Sequence, residues 1–390
     1  MSWKESDVRS ERIAFVVRAR QGGCNMAALC REFGISRATG YKWLRRSLQV
    51  GSLAELEEHS RRPHRSPNQT PQWIEQRVEA LRHRHGWGGR KLSDLLAQEG
   101  IILASSTVDR ILKRRGLVQS GQRHRTARRR FERSRPMELV QMDFKGPYRL
   151  SGGGLCHPLS VLDDHSRYVL GLYALPSQRR EGVENRLIDC FERHGVPEAM
   201  LMDHGVPWWS TTNGHGLTRL SVFLIRQGID LIYGGIGHPQ TQGKVERFHR
   251  TLSQALDHRG HPQSLASFQG VLEAIREEYN QIRPHEALGD QRPAQRYRPS
   301  RRAYRPQPLE WEYPTGAELS RLNSAGCLYY RPRQYFGCEA LAREQVRLER
   351  FEEKILVSYR QMHIREIDLE TGRTTAVVRP VSHSKVSTMS

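Results

Sequence analysis

HPQTQGKVERFHRTL, residues 238–252, is the stretch on which the reading of this 390-residue chain turns. A turn-rich lead runs into an amphipathic pattern that predicts a helix from about Gln242 to Asp257, with Glu246 near its start. Just upstream, Ile229–Tyr233 reads as a strand. Before it, Thr218–Gln227 reads as a helix carrying Leu220, Phe223 and Leu224. Ala199–Asp203 is a buried strand that ends in a carboxylate, and a helix spans about Arg180–His194. Three earlier apolar runs, Met137–Asp143, 157–163 and 168–175, have strand length. The first two are joined through a glycine-rich turn at 152–154. Three strands, helix, strand, helix, strand, helix predicts a mixed α/β sheet over residues 137–285.

Three carboxylates stand out by position in this pattern. Asp143 and Asp203 end two of the strands, and Glu246 opens the helix. Catalytic groups in open α/β sheets gather at strand ends. Carboxylates are ligands for hard cations, and two Mg²⁺ ions ~3.5–4 Å apart need several such oxygens. One Asp bridging the ions with a carboxylate on each side is the minimal arrangement. It would acidify a bound water or 3′-hydroxyl and stabilise an in-line phosphoryl displacement. Asp is also a common turn former, Glu is ordinary on helices, and Asp163 and Asp164 end another strand. Spacing alone therefore leaves the assignment open.

The flanks are more basic than this core. The formal charge of the chain is +20, and residues 1–136 hold 29 basic against 13 acidic side chains. A field of that sign argues for a polyanionic partner, most simply nucleic acid. Residues 10–50 read as short helix, Gly34 turn, and a basic helix capped by Ser36, the helix-turn-helix pattern. Its last helix would bring Arg37, Thr39, Lys42 and Arg46 to a major groove. A second unit, 70–118, starts with Thr70 capping a helix at Pro71 and ends in a helix carrying Arg110, Lys113 and Arg114. Residues 119–136 form a basic linker with seven arginines and one glutamate. There Arg128, Arg129 and Arg130 would follow phosphates or a minor groove. Around Glu246, the side chains of Lys244, Arg247, His249 and Arg250 are candidate phosphate contacts. A Pro/Arg-rich linker is expected over 286–310 and a small C-terminal β-barrel over 311–375.

Composition also excludes classes. No apolar run approaches the ~20 residues of a membrane helix, and MSWKESDVRSER lacks the apolar stretch of a secretory signal. Six cysteines, none in Cys-x-x-Cys, argue against a disulfide scaffold or thiolate zinc site and fit a reducing cytosol. His83 and His85 lack further ligands at zinc spacing. A cytoplasmic, nucleoid-associated location is expected.

The segments ELVQMDFKG, PLSVLDDHSRYVLG, LMDHG, HPQTQGKVERFHRTL and YNQIRPHEALG resemble those of DDE transposases of the integrase-core superfamily. They look most like the insertion-sequence 481 family, over about residues 10–375. The resemblance implies a multidomain chain: tandem helix-turn-helix units, an α/β RNase H-like core and a small β end. It implies Asp143, Asp203 and Glu246 as catalytic ligands of two Mg²⁺ ions, with Mn²⁺ as substitute. It further implies cleavage at element ends to free 3′-OH groups and their transfer to target DNA. Residues 10–118 would bind the terminal inverted repeats. Joining two ends implies at least a dimer on DNA. Some positions depart from the pattern. His204 stands where Asn commonly follows the second Asp, and 43 residues separate Asp203 from Glu246, with PWWSTTNGHG as a loop insertion. Ser253 replaces a frequent basic residue, for which Arg250 on the same helical face could substitute. Trp208 and Trp209 are expected to pack, and His238 and Gln240 to shape the loop. The rival readings are a non-catalytic helix-turn-helix DNA-binding regulator derived from a transposase and a stand-alone metal-dependent nuclease.

Overall fold

The computed structural model describes residues 7–49, 52–53, 56, 69–118, 132–212, 216–234, 243–260 and 262–381. The chain divides into two compact units, Met1–Thr70 and Pro71–Ser390. In the first, α1 (Val8–Arg20), α2 (Met26–Glu32) and α3 (Arg37–Ser47) close over Phe15, Val16, Leu29, Cys30 and Trp43. Asn25 caps α2, and Ser36 Oγ accepts from Thr39 N at 3.1 Å to cap α3. Gly34 makes the turn between them at φ +64°. Gly40 lies where α3 presses on the core; an added Cβ there would sit 2.6 Å from Cys30 Sγ.

The second unit opens with α4 (Gln72–His85), α5 (Gly89–Gln98) and α6 (Ser105–Arg114), packed around Val78, Leu81, Trp87, Leu92, Leu96, Val108 and Ile111. Helix α4 starts at Gln72, not Pro71. Pro71 itself occupies the cap position, so the cap expected from Thr70 is replaced by a residue with no capping side chain. These helices are seated on the following domain: His85 Nδ1 lies 3.0 Å from Glu278 Oε1, and Arg90 pairs with Asp290 at 2.7 Å.

The sheet then forms from β1 (Leu139–Phe144), β2 (Tyr148–Arg149), β3 (Leu155–Asp163) and β4 (Val169–Leu175). After α7 (Arg180–His194) come β5 (Ala199–Met202), the short pair β6 (Trp209–Ser210) and β7 (Gly216–Leu217), α8 (Arg219–Arg226) and β8 (Asp230–Tyr233). Strand β3 lies between β4 and β1, antiparallel to both, while β1, β5 and β8 run parallel. Both faces are covered, which is why β4 and β5 are buried at every residue. Helices α7 and α8 pack Leu187, Phe191 and Leu220 on one face. On the other, α9 (Gly243–Arg259) and α10 (Leu265–Glu277) pack Val245, Phe248, Leu252 and Leu272. A π-helical turn, Glu278–Ile282, follows, pinned by Asn280, which exchanges two hydrogen bonds of 2.9 Å with the Val169 backbone.

Residues 286–310, expected as a linker, include the one-turn helix α11 (Pro293–Arg296) and then run along the core edge. Tyr297 stacks on Tyr168 at 4.1 Å, and Arg302 donates to Pro197 O at 2.8 Å and Gly228 O at 2.6 Å. The C-terminal strands are β9 (Glu318–Arg321), β10 (Cys327–Tyr330), β11 (Arg333–Phe336), β12 (Gln345–Phe351), β13 (Lys354–Tyr359), β14 (Met362–Asp368) and β15 (Thr374–Pro380). They do not form the expected barrel. Strands β9-β12-β13-β14-β15 make an open antiparallel sheet, with β10 and β11 a separate hairpin. The apolar face, with Val346, Ile355, Val357 and Ile364, joins one buried cluster with Leu217, Leu220 and Leu224. A sheet whose apolar face is covered by another domain has no need to close on itself. Gln361 stitches the two parts, donating to Ile225 O and Ile229 O at 3.1 and 3.2 Å. All six cysteines are free, and no described helix is long and apolar enough to cross a membrane.

Candidate active site

Parallel pairing of β1 with β5 brings their C-terminal ends to the same edge of the sheet. Asp143 is the next-to-last residue of β1, its side chain 20% exposed, and Asp203 follows β5 directly and is exposed. Glu246 lies in the first turn of α9. That turn is tied to β1 because Gln141 Oε1 accepts from Val245 N at 3.2 Å. The electrostatics bear on the same three groups. Burial first, and then the negative charges of Asp203 and Glu246, push the Asp143 carboxyl up to about 7, against the Phe144 N–H and Lys145. Asp203 is held by its loop: Oδ1 accepts from Trp208 Nε1 at 2.7 Å and Gly205 N at 2.9 Å. Trp208 is buried and stacks on Phe144 at 5.5 Å, so it packs as expected and also orients Asp203. Among the described residues, no three His, Cys, Asp or Glu side chains are gathered closely enough to hold a metal ion as they stand. The three carboxylates thus share one edge and one electrostatic field without forming a closed cage.

Two neighbours shape this edge. His249, 7% exposed, places Nδ1 3.6 Å from Asp143 Oδ2 and Nε2 3.0 Å from Ser160 Oγ. Burial brings its pKa down to about 4, so the ring is neutral near pH 7. His204 packs edge-on against Trp209 at 4.6 Å, and burial lowers its proton affinity too.

The competing strand-end carboxylates serve the fold. Asp163 is fully buried and accepts from Met137 N at 2.7 Å and from Ser166 N and Oγ at 2.7 and 2.5 Å. Asp164, also fully buried, accepts from Gln141 Nε2 at 2.8 Å and Arg133 N at 2.9 Å, and pairs with Lys244 Nζ at 2.6 Å.

The residues expected to touch DNA fall into three groups. Arg37, Lys113, Arg247 and Arg250 are exposed, and so is Arg110, which donates to Thr107 Oγ1 at 3.1 Å. Others are partly engaged. Thr39 Oγ1 lies 2.9 Å from Ser36 Oγ, Lys42 and Arg46 lie over the Trp43 ring at 5.1 and 5.0 Å, and Arg114 pairs with the buried Glu75. Lys244, 16% exposed, is turned into the fold toward Asp164 and anchors α9. Arg128, Arg129, Arg130, His238 and Gln240 lie outside the described residues.

Sequence reasoning missed the Gln141–Asp164–Lys244 clamp and the Trp208 indole, while Asn280, read as packing back onto the core, does so. The one local signal was Gln141, an amide inside an apolar strand that had to find a buried partner.

Residues 227–293 match the family model of the integrase core domain, which covers β8, α9 with Glu246, and α10. Residues 11–64 match a helix-turn-helix domain and 39–112 a homeodomain-like domain. The chain carries helix-turn-helix modules ahead of an integrase core. Among curated proteins, that core-bearing chain is 27% identical over 183 residues to the transposase for transposon Tn552 of Staphylococcus aureus. The match covers 40% of this chain and 36% of that protein, so the chain spans about a third of the relative's length. Among solved structures it is similar to the HTLV-2 integrase catalytic core domain in complex with magnesium: 15% identity, TM-score 0.33, 42% of this chain and 99% of that one. It is also similar to the simian T-cell lymphotropic virus intasome in complex with PP2A regulatory subunit B56 gamma: 14% identity, TM-score 0.37, 78% of this chain and 99% of that one.

Proposed function

We propose that the chain is a DNA transposase of the DDE type, close to the insertion-sequence 481 family, that binds terminal inverted repeats and joins element ends to target DNA. One observation carries the reading: parallel β1 and β5 bring Asp143 and Asp203 to one sheet edge, to which the Gln141–Val245 hydrogen bond ties the first turn of α9 with Glu246, and burial with those two charges pushes the Asp143 carboxyl up to about 7. A partly buried carboxylate facing two like charges costs free energy unless a cation neutralises it. The donor set fits hard divalent cations such as Mg²⁺ or Mn²⁺, being three carboxylates without a thiolate. Asp143, Asp203 and Glu246 would be the residues that hold the ions. Bound there, such ions supply an acidified water or 3′-hydroxyl and charge neutralisation for in-line phosphoryl displacement. The protein's own part is positional. Gln141 and Lys244 fix the first turn of α9, Trp208 orients Asp203, and neutral His249 stands beside Asp143 without adding charge. The helix-turn-helix modules and the +16 field of residues 1–136 support DNA holding by the flanking parts. Two ends held together require at least a dimer on DNA, and a nucleoid-associated location follows from that binding.

The test is a labelled element end incubated with target plasmid and Mg²⁺ or Mn²⁺. The reading expects nicked and joined products from the wild type and none from Asp143→Ala. Site-specific binding without metal-dependent cleavage would favour the regulator reading, and cleavage without joining the nuclease. Activity surviving in Asp143→Ala would remove that residue from the mechanism.

A further inference from the structure

Inside the second unit, α4–α6 and α9–α10 enclose a cleft of about 790 Å³ whose lining includes Trp87, Lys91, Tyr279 and Arg283. Two cations, Lys91 and Arg283, line it, and Arg247 is near enough to act on both. Burial and the charges of Arg283 and Arg247 bring the Lys91 ammonium down to about 8, and Arg247 acts on Arg283 as well. Burial first, and then the charges of Arg167, Arg283, Lys91 and Arg247, depress His285, which sits against Tyr279 at 3.1 Å. Among the described residues, none of the three cations makes an ion pair, although carboxylates are near. Those carboxylates are taken: Glu278 by His85 and Arg259, and Asp290 and Glu286 by Arg90. Arg283 lies over the Trp87 ring at 5.5 Å, which fixes its guanidinium at the cleft. Arg247 adjoins Glu246 in sequence, and Lys91 belongs to the second helical module.

We propose that Lys91, Arg247 and Arg283 form a seat for backbone phosphate of duplex DNA, on the path from the second helical module to the carboxylate edge. The assignment rests on the reading that the chain acts on DNA. It adds Lys91, which sequence reasoning did not mark, and Arg283, which that reasoning read as packing back onto the core. Lys91 and Arg283 in the cleft lining and the exposed Arg247 repel one another and make no direct ion pair among the described residues, and a phosphodiester relieves that repulsion. Arg90 differs in that its charge is already matched by Asp290 and Glu286.

The experiment measures binding of the full chain to a 40-base-pair duplex across ~50–200 mM salt. Each phosphate contact contributes about 0.9 to the slope of log affinity against log salt. Lys91→Gln and Arg247→Gln are each expected to flatten the slope by about one, and the double variant by about two. Arg90→Gln is expected to leave it unchanged. Lys91→Gln removes a repelling cation, so its thermal unfolding should match or exceed the wild type, which separates lost binding from lost folding. A wild-type slope in both Lys91→Gln and Arg247→Gln, with duplex binding intact, overturns the seat and leaves the wider reading standing. No duplex binding by the wild type at low salt overturns both.

Discussion

Replacing Lys244 by Met tests how the carboxylate edge is held together. The Lys244–Asp164 contact is 2.6 Å, with the two side chains 16% and 0% exposed. Burial brings the ammonium down to about 8 despite the carboxylate beside it, so desolvation outweighs the attraction. The pair therefore adds little as a pair. Removing one member is different, because Asp164 is left charged and fully buried. Breaking such a pair costs about 3–5 kcal/mol. Asp164 keeps two donors, Gln141 Nε2 and Arg133 N, which places the expected loss near the low end, about 3 kcal/mol. That is roughly two orders of magnitude in the unfolding equilibrium. Chemical denaturation followed by tryptophan fluorescence gives the number. Combining Lys244→Met with Asp164→Asn, which removes the stranded charge, should recover more than half of the loss. A loss below about 1 kcal/mol in the single variant, or no recovery in the double, would refute the reasoning.

Three further outcomes follow from the same geometry. Burial holds His194 near 4 and His285 near 3, both below the ordinary imidazole value of about 6.5. The unfolded chain then binds more protons, so stability should fall as pH drops from about 6.5 toward 4, by at most about 1.4 kcal/mol per pH unit from each group. Urea unfolding at pH 7, 6 and 5 checks this, and His285→Phe should flatten the dependence. Gly40→Ala would place a Cβ 2.6 Å from Cys30 Sγ and 2.9 Å from Phe15, an overpacking that costs about 1–3 kcal/mol. Hydrogen exchange should speed up in α1–α3 and leave the Pro71–Ser390 unit unchanged. Trp208→Phe keeps the ring against Phe144 but removes the donor to Asp203 Oδ1, with an expected loss of about 1 kcal/mol by denaturation.

The α/β core was legible because its strands are buried on both faces and read as plain apolar runs; the strands, α7, α8 and α9 fall close to where the sequence puts them. The expectation that Ser36 caps α3 rests on one local bond and was equally readable. What escaped depends on contacts far apart in the chain. Alternation in residues 311–375 shows that those strands have an apolar face, not what covers that face, so the open sheet lying on α8 could not be told from a barrel. The seating of the second helical module through His85 and Glu278 joins residues 193 apart. Asp164 could be separated from Asp143 only once Gln141 and Lys244 were seen to enclose it. The Trp208 indole reached Asp203 through a loop whose path no periodicity encodes.

Divalent-cation binding tests the central claim most directly. Mn²⁺ titration followed by electron paramagnetic resonance, in wild type and in Asp143→Asn, Asp203→Asn and Glu246→Gln, should show affinity reduced at least about 10-fold in each variant. Wild-type affinity should itself weaken below pH 7 as Asp143 takes up its proton. Undiminished binding in Asp203→Asn or Glu246→Gln would mean that the three carboxylates do not share an ion site.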